Sequence, residues 1–219
     1  MKVSELFEAP IPDDWDKKIF KPNVSFKKRI DYAVAQVQKT SGKGSSRTVF
    51  EIEYQGRPTI LKIAHNKKGM AQNAVEAKIL DDGYITKMGI AIPLIDYDEE
   101  HNEPVWIHVE KAKLVKEAEL CLHLKCSNLK QLIYYSINGL DGNKKKQQYT
   151  IKELEKAHFN EADLDVFNEY ANRMMELKED FDINIMDFMQ YQNWGIYENE
   201  PVVIDLGFDS TVVQQYYSK

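Results

Sequence analysis

Apolar residues recur at the three- and four-residue spacing of a helix in five segments of the chain. The first follows Ser25, whose hydroxyl favours a helix N-cap, and stops before Gly42. The others are residues 69–80, 114–124, 129–137 and 160–179, the last of which begins at Asn160, a second capping residue. These segments predict five helices, three of them in the second half of the chain.

Alternation of apolar and polar residues, enriched in β-branched types, predicts strands elsewhere. Residues 49–54 and 59–64 flank the turn-forming sequence Gln-Gly-Arg-Pro, which indicates a β-hairpin. Two further strands are expected at 90–97 and 105–109, on either side of an acidic turn, and a last hairpin at 194–197 and 202–204. Most of the predicted strands therefore lie in the first half of the chain.

This order of elements predicts an α+β protein with two lobes. The first, residues 1–110, is an N-terminal extension followed by a β-rich lobe with one internal helix. The second, residues 111–219, is a helical lobe that ends in a β-hairpin, and the hinge between them falls near residues 109–113. Residues 1–24 are expected to be an irregular lead-in, and residues 141–148 a polar loop.

Composition and charge narrow the classes of function. The 219 residues contain 29 Lys+Arg and 35 Asp+Glu, a net charge of −6, which argues against binding nucleic acid through its phosphates. No apolar run approaches the roughly 20 residues that span a bilayer, so no membrane association is expected. Cys121 and Cys126 belong to no recognisable metal-binding motif and lack a CxxC spacing. We therefore expect free buried thiols in a cytoplasmic protein.

Three features of the N-terminal half are candidates for phosphate chemistry. Gly42 and Gly44 lie in a small-residue run before a strand, where glycines allow backbone N–H groups to approach a phosphate. Lys62 interrupts an apolar strand, and Glu76 follows fourteen residues later on a predicted helix, so the two could pair in the interior. The alternatives are an ordinary turn, a lysine on the solvent face of an edge strand, and a solvated glutamate.

Two oxygen-bearing side chains flank the last predicted hairpin. Asn193 stands at its entrance and Asp205 at its exit, so both are expected to converge on one point. Carboxylate and amide oxygens are the ligands that Mg²⁺ prefers. The alternative is a polar turn residue and an aspartate at a strand end, without a metal.

The order of these motifs resembles that of the protein-kinase-like fold, with Asp205-Leu206-Gly207 in the place of the Asp-Phe-Gly triplet. Three segments, 42–50, 61–66 and 71–76, are similar to those of small, uncharacterised kinase-like proteins of tailed bacteriophages. The resemblance covers about residues 28–208. It implies a two-lobed protein-kinase-like fold with a truncated helical lobe.

The resemblance also implies which residues would bind ATP and Mg²⁺. It assigns the nucleotide to Gly42, Gly44, Ser45, Arg47, Lys62, Glu76 and Glu110, the metal to Asn193 and Asp205, and catalysis to Asp187 and Lys62. Lys62, oriented by Glu76, would hold phosphate oxygens, and the backbone of residues 107–113 would meet the adenine. Phosphoryl transfer would then proceed by positioning and charge stabilisation.

The sequence departs from the kinase pattern at three places. Arg47 replaces the third glycine of the loop and would either fold over the phosphates or decorate the loop exterior. The catalytic aspartate is expected five residues before Asn193, where Phe188 stands; a one-residue bulge would bring Asp187 into that role, with Asp182 as a weaker substitute. Only eleven residues follow Phe208, which leaves no room for an activation segment or a peptide-docking platform.

We therefore expect an atypical, minimal ATP-dependent phosphotransferase, phage-encoded, acting in the host bacterial cytoplasm on a host or phage target. A second copy of the chain is one candidate source of the missing platform. The alternative is a pseudokinase that binds nucleotide, or a host protein, without turnover. Adenylyl transfer in place of phosphoryl transfer is a further variant.

Overall fold

The computed structural model describes residues 11–12, 14–21, 23–37 and 40–218. Within them the chain forms an α+β fold with a five-stranded antiparallel sheet and a separate two-stranded hairpin. The strands are β1 (Thr40–Lys43), β2 (Arg47–Tyr54), β3 (Arg57–Ala64), β4 (Leu94–Tyr97), β5 (Trp106–Glu110), β6 (Trp194–Tyr197) and β7 (Glu200–Val203). The helices are α1 (Phe26–Gln36), α2 (Lys67–Leu80), α3 (Gly83–Met88), α4 (Glu117–Leu124), α5 (Leu129–Leu140), α6 (Lys144–Lys156), α7 (Glu161–Phe181) and α8 (Ser210–Tyr216).

The chain divides into two compact units. The sheet unit comprises the described residues of Met1–Lys78 and Pro93–Lys111, and the helical unit those of Ile79–Ile92 and Ala112–Lys219. The segment 79–92, assigned from the sequence to the β-rich lobe, thus groups by its contacts with the helical unit. None of the described helices is both long and apolar enough to span a membrane.

The sheet unit is built on the hairpin of β2 and β3, as the sequence predicts. Gln55 and Gly56 take positive φ angles of 51° and 75°, the two-residue turn that suits the twist of paired strands. The sheet order is β1-β2-β3-β5-β4, so β3 lies at its centre. Phe50, Leu61 and Ile63 are fully buried in the core on this sheet.

The predicted lead-in contributes to that core. Residues 1–10, 13 and 22 lie outside the described part, but Ile11, Trp15 and Phe20 are at most 6% exposed and pack with the sheet. The irregular assignment is wrong for Lys17–Phe20, which form a short 3-10 helix capped by Asp16. Two stacked aromatic rings here outweigh the proline-rich local sequence.

The helical unit differs from the sequence prediction at several places. The predicted loop 141–148 is wrong from Lys144 onward, because Asn143 accepts a hydrogen bond from Lys146 N and starts α6. Helices α3 and α8 were not predicted; both are short and capped by aspartates, Asp82 and Asp209. The predicted strand 90–97 begins only at Leu94.

Candidate functional site

Strand β3 places Lys62 inside the sheet unit. Its backbone lies between Val49 of β2 and Ile107 of β5, and its side chain is only 6% exposed. The alternative of a solvent-facing lysine on an edge strand is therefore wrong. A buried ammonium group is unfavourable unless a carboxylate and hydrogen bonds compensate its lost hydration.

Glu76 of α2 provides that carboxylate. It is fully buried, which excludes the solvated alternative, and its Oε1 accepts from Lys62 Nζ at 2.5 Å. Its second oxygen, Oε2, is bonded by the guanidinium of Arg47. Two cations on one carboxylate give these three side chains a formal charge of +1, which favours a nearby anion.

Arg47 does not decorate the outside of the loop. It is the first residue of β2, is 6% exposed, and donates from Nη1 to Asn73 Oδ1 at 3.3 Å as well as to Glu76. Asn73 is fixed in turn, since its Nδ2 donates to Pro104 O at 3.1 Å. Sequence reasoning missed Asn73, although its spacing of three residues from Glu76 places both on one face of α2.

The glycine-rich segment forms the hairpin of β1 and β2, with Gly42 inside β1 and Gly44 in the turn, where Gly44 N donates to Arg47 O at 2.9 Å. Its second half is fastened to the start of α2. Ser46 O accepts from His65 N at 2.9 Å, Ser46 Oγ donates to Gln72, and Ser45 O accepts from Asn66 Nδ2 at 3.1 Å. The second half of the turn is thus fixed in place by the start of α2.

The structure leaves only part of the predicted adenine-binding backbone, residues 107–113, available to bind a base. Residues 107–109 of β5 pair with β3 on one side and β4 on the other, and Glu110 N donates to Pro93 O at 3.0 Å. The Glu110 carboxylate pairs with Arg57 at 2.5 Å. These backbone groups and that carboxylate are already engaged, and Lys113 bonds Ile196 through both its N–H and its C=O, so the prediction reduces to the backbone of Lys111 and Ala112.

In the helical unit, the hairpin of β6 and β7 is held on both edges. Ile196 of β6 exchanges two backbone hydrogen bonds with Lys113, at 2.8 and 2.9 Å. Val203 of β7 pairs with Ala91 in a parallel bridge, through bonds of 2.7 and 3.0 Å to Ile90 and Ile92. Segment 90–92, predicted as part of a longer strand, therefore supports this hairpin.

The segment after β7 fastens the loop that precedes β6. Ile204 N donates to Asn193 O at 2.8 Å, and Asn184 N donates to Phe208 O at 2.9 Å. Between these two bonds the loop forms short 3-10 helices at Ile185–Met189 and Tyr191–Asn193. Asp187, Asn193 and Asp205 are thereby brought into one neighbourhood.

Asn193 makes direct contact with Asp187. Its Nδ2 donates to Asp187 Oδ2 at 2.9 Å and to Asp187 O at 3.0 Å. Because the amide nitrogen faces Asp187, the amide oxygen of Asn193 points away from Asp187. Phe188 is instead 1% exposed and packs edge-on against Trp194, with ring centroids 6.0 Å apart.

The electrostatics of Asp187 support a shared site. Burial raises the pKa of its carboxyl, the negative charge of Asp205 raises it further, and the Asn193 hydrogen bond partly offsets both. Asp205 Oδ1 accepts from Gly207 N at 3.4 Å, within a local turn. A cation beside these carboxylates would relieve their repulsion, so the donor set fits Mg²⁺.

Asp182 does not belong to this group. It ends α7 in the left-handed conformation, lies exposed, and is bonded by Lys178 and Ser210, which lower the pKa of its carboxyl. Within the described ranges no three His, Cys, Asp or Glu side chains gather as metal ligands. The candidate cation site therefore needs the Asn193 oxygen.

Two constellations result: Arg47, Lys62 and Glu76 in the sheet unit, and Asp187, Asn193 and Asp205 in the helical unit. The first is suited to bind an anion, and the second to bind a cation or to accept a proton. No protein-family model matches the chain, and no curated protein is significantly similar to it.

Proposed function

We propose that the protein is an atypical, minimal ATP-dependent phosphotransferase of protein-kinase-like form, encoded by a phage and acting on a host or phage target. The observation that carries the proposal is the buried Lys62–Glu76 pair at 2.5 Å. The order of the motifs in the sequence predicts this pair. A buried pair is weak evidence for stability alone, so its presence calls for a functional reason.

In this proposal the sheet unit binds the phosphates. Lys62 donates to phosphate oxygens, and Glu76 fixes the direction of its ammonium group. Arg47 holds the second oxygen of Glu76, so that carboxylate stays in place when the lysine turns to a ligand. The first half of the glycine hairpin covers the phosphates.

The helical unit supplies the other groups. Asp205 and Asn193 would hold Mg²⁺, which when bound neutralises phosphate charge. Asp187 accepts the proton of the acceptor hydroxyl, and its raised pKa suits a general base better than that of a solvated aspartate. The Asn193 amide keeps Asp187 oriented for this step.

A second candidate is a nucleotide-binding pseudokinase that inhibits or recruits a host protein. It is favoured by the position five residues before Asn193, where Phe188 is buried against Trp194 and cannot act as a base. A loop of this kind would suit a site that binds without turnover.

The test compares Lys62→Met with Lys156→Met in an assay with γ-labelled ATP, Mg²⁺ and host extract. Lys156 makes an exposed salt bridge with Glu153 within α6, outside both constellations, so the second variant controls for the loss of a lysine. We expect the wild type and Lys156→Met to transfer label, and Lys62→Met to lose about 100-fold or more of the rate. Arg47 still partners Glu76 in Lys62→Met, so the variant should fold.

Thermal shift with ATP and Mg²⁺ separates the two candidates. A ligand at 100 times its Kd stabilises by about 2.7 kcal/mol, which Lys62→Met should lose. A stabilised wild type that transfers no label supports the pseudokinase, and label from α- but not γ-labelled ATP indicates adenylyl transfer. A wild type with neither a shift nor transfer contradicts both candidates.

A further inference from the structure

The two cysteines of the chain meet where α4 ends. Lys125 takes the left-handed conformation, with φ 55° and ψ 42°, and Cys126 N then donates to Cys121 O at 3.1 Å. This hydrogen bond, from Cys126 N back to Cys121 O, is the one that defines a Schellman motif. In that motif the residue after the left-handed position commonly packs its side chain near the residue whose carbonyl it bonds. The backbone therefore directs the two sulfur atoms toward each other.

Both side chains are buried and neither is oxidised. Cys121 is 6% exposed and Cys126 3% exposed. The hydrogen bond between the thiols lowers the pKa of Cys121 and raises that of Cys126, and burial raises the pKa of Cys126 further. The sulfur of Cys121 is thus the better nucleophile of the two.

We propose that Cys121 and Cys126 form a redox-active dithiol that closes to an intrachain disulfide on reaction with a peroxide. The proposal does not depend on the phosphotransferase function. It assigns a modification site at the end of α4, a helix that packs against both strands of the β6–β7 hairpin.

The reaction balances in two steps. The Cys121 thiolate attacks one peroxide oxygen, the O–O bond breaks, and hydroxide leaves to take up the thiol proton as water, so that Cys121 becomes a sulfenic acid. The Cys126 sulfur then attacks the Cys121 sulfur, the S–O bond breaks, and a second water leaves with the Cys126 proton. Two thiols are oxidised to one disulfide while one hydrogen peroxide is reduced to two waters.

Access for the peroxide follows from the position of the pair. The turn that carries it continues into Ser127 and Asn128, both exposed. Local opening of this helix end, which need not unfold the whole chain, would let peroxide reach the two sulfur atoms.

The test treats the full chain with one equivalent of hydrogen peroxide. Free thiols are counted in denaturant, and the intact mass is measured without reductant. We expect both thiols to disappear together, a mass lower by two hydrogen atoms, and recovery of both changes with dithiothreitol. Two thiols that persist in excess peroxide, or a mass gain from added oxygen without loss of hydrogen, would overturn the proposal.

Single variants identify the roles of the two sulfurs. Cys126→Ser should accumulate a sulfenic acid at Cys121 that reacts with dimedone, and Cys121→Ser should react more slowly than the wild type. Equal rates in the two variants, or disulfide-linked dimers of the wild type, contradict an internal pair. The wild-type mass alone remains decisive where a serine variant does not fold.

Discussion

The carboxylates of the candidate site in the helical unit lower the stability of the folded chain. Asp187 lies close enough to Asp205 for their charges to raise its pKa, and it is partly removed from water. The folded chain therefore bears an electrostatic cost that the unfolded chain does not have. Groups kept in this way at a cost are typical of functional sites.

Asp187→Asn should raise the stability of the protein near neutral pH. The pKa of Asp187 is higher in the folded state than in the unfolded state, so its favourable contribution is complete below the unfolded pKa and is lost as pH rises through the folded pKa. Above the folded pKa the carboxylate is charged, and asparagine removes this cost because it does not ionise. Melting temperatures measured from acid to neutral pH should show a gain over the wild type that grows with pH.

Asp182→Asn provides a control of opposite sign. The hydrogen bonds of Lys178 and Ser210 lower the pKa of Asp182, so its contribution is present above the unfolded pKa and lost as pH falls through the folded pKa. This variant should be slightly less stable than the wild type at neutral pH, and asparagine tolerates the left-handed backbone there. Equal effects of the two substitutions would contradict our electrostatic account of Asp187.

At the scale of elements, the β1–β2 hairpin contains glycines that its own fold does not require. Gly44 does not have a positive φ, and a Cβ there would lie 3.5 Å from Arg47 O, an ordinary contact. Gly69 at the start of α2 is different, because a Cβ would lie 2.2 Å from Ser46 O. The packing of this turn on α2 requires Gly69, whereas the fold does not require Gly44; under the proposed function, Gly44 leaves room for a phosphate.

Gly44→Ala should leave the free energy of unfolding within about 0.5 kcal/mol of the wild type, as surface substitutions do, and should weaken ATP binding. Gly69→Ala should lower the free energy of unfolding by about 1–3 kcal/mol, because the clash with backbone outweighs the better helix propensity of alanine. Urea unfolding and ATP titration measure the two quantities. Unchanged ATP affinity in Gly44→Ala would remove the hairpin from the proposed site.

At the scale of the whole molecule, the segment that contains Trp15 and Phe20, which precedes the candidate residues in the sequence, contributes to the core of the sheet unit. Trp15 packs on Phe20 and Tyr32, with ring centroids 6.2 and 5.9 Å away. The sheet that carries Lys62 is thus partly covered by residues from the start of the described chain.

Trp15→Ala should cost about 3–5 kcal/mol and accelerate amide exchange in β2, β3 and β5, because a large cavity opens against the sheet. Hydrogen exchange followed by mass spectrometry resolves these strands. Tyr149→Ala, at a residue that is 66% exposed, is the matched control and should change little. Unchanged protection of the sheet in Trp15→Ala would show that the segment is not part of its core.

Local chemistry explains how much of this molecule the sequence predicts. The Gln55-Gly56 turn and the helix caps Ser25 and Asn160 can be predicted from the sequence. Each cap acts through a hydrogen bond to a residue only three positions away. The pairing of residues 90–92 with Val203 depends on a partner distant in sequence, which no local pattern contains.

The same limit applies to the candidate site. The spacing of Lys62 and Glu76 allows their pair but leaves a solvent-facing lysine and a solvated glutamate open. The order of the motifs predicts the pair, and the pair forms in the structure. The burial of Arg47 could not be predicted, since arginine is seldom buried and its partner Asn73 is revealed only by the fold. The structure places Asp187, and not Phe188, beside Asn193, because the phenyl ring of Phe188 fills the core beside Trp194.

The double support of the β6–β7 hairpin also bears on how the protein avoids self-association. Strands with open edges recruit strands from other molecules and begin aggregates. Here Lys113 bonds one margin and residues 90–92 the other, so these strands offer neighbouring chains little unsatisfied backbone. The molecule can therefore keep polar, mutually repelling side chains at the ends of the β6–β7 hairpin without exposing strand edges that start fibrils.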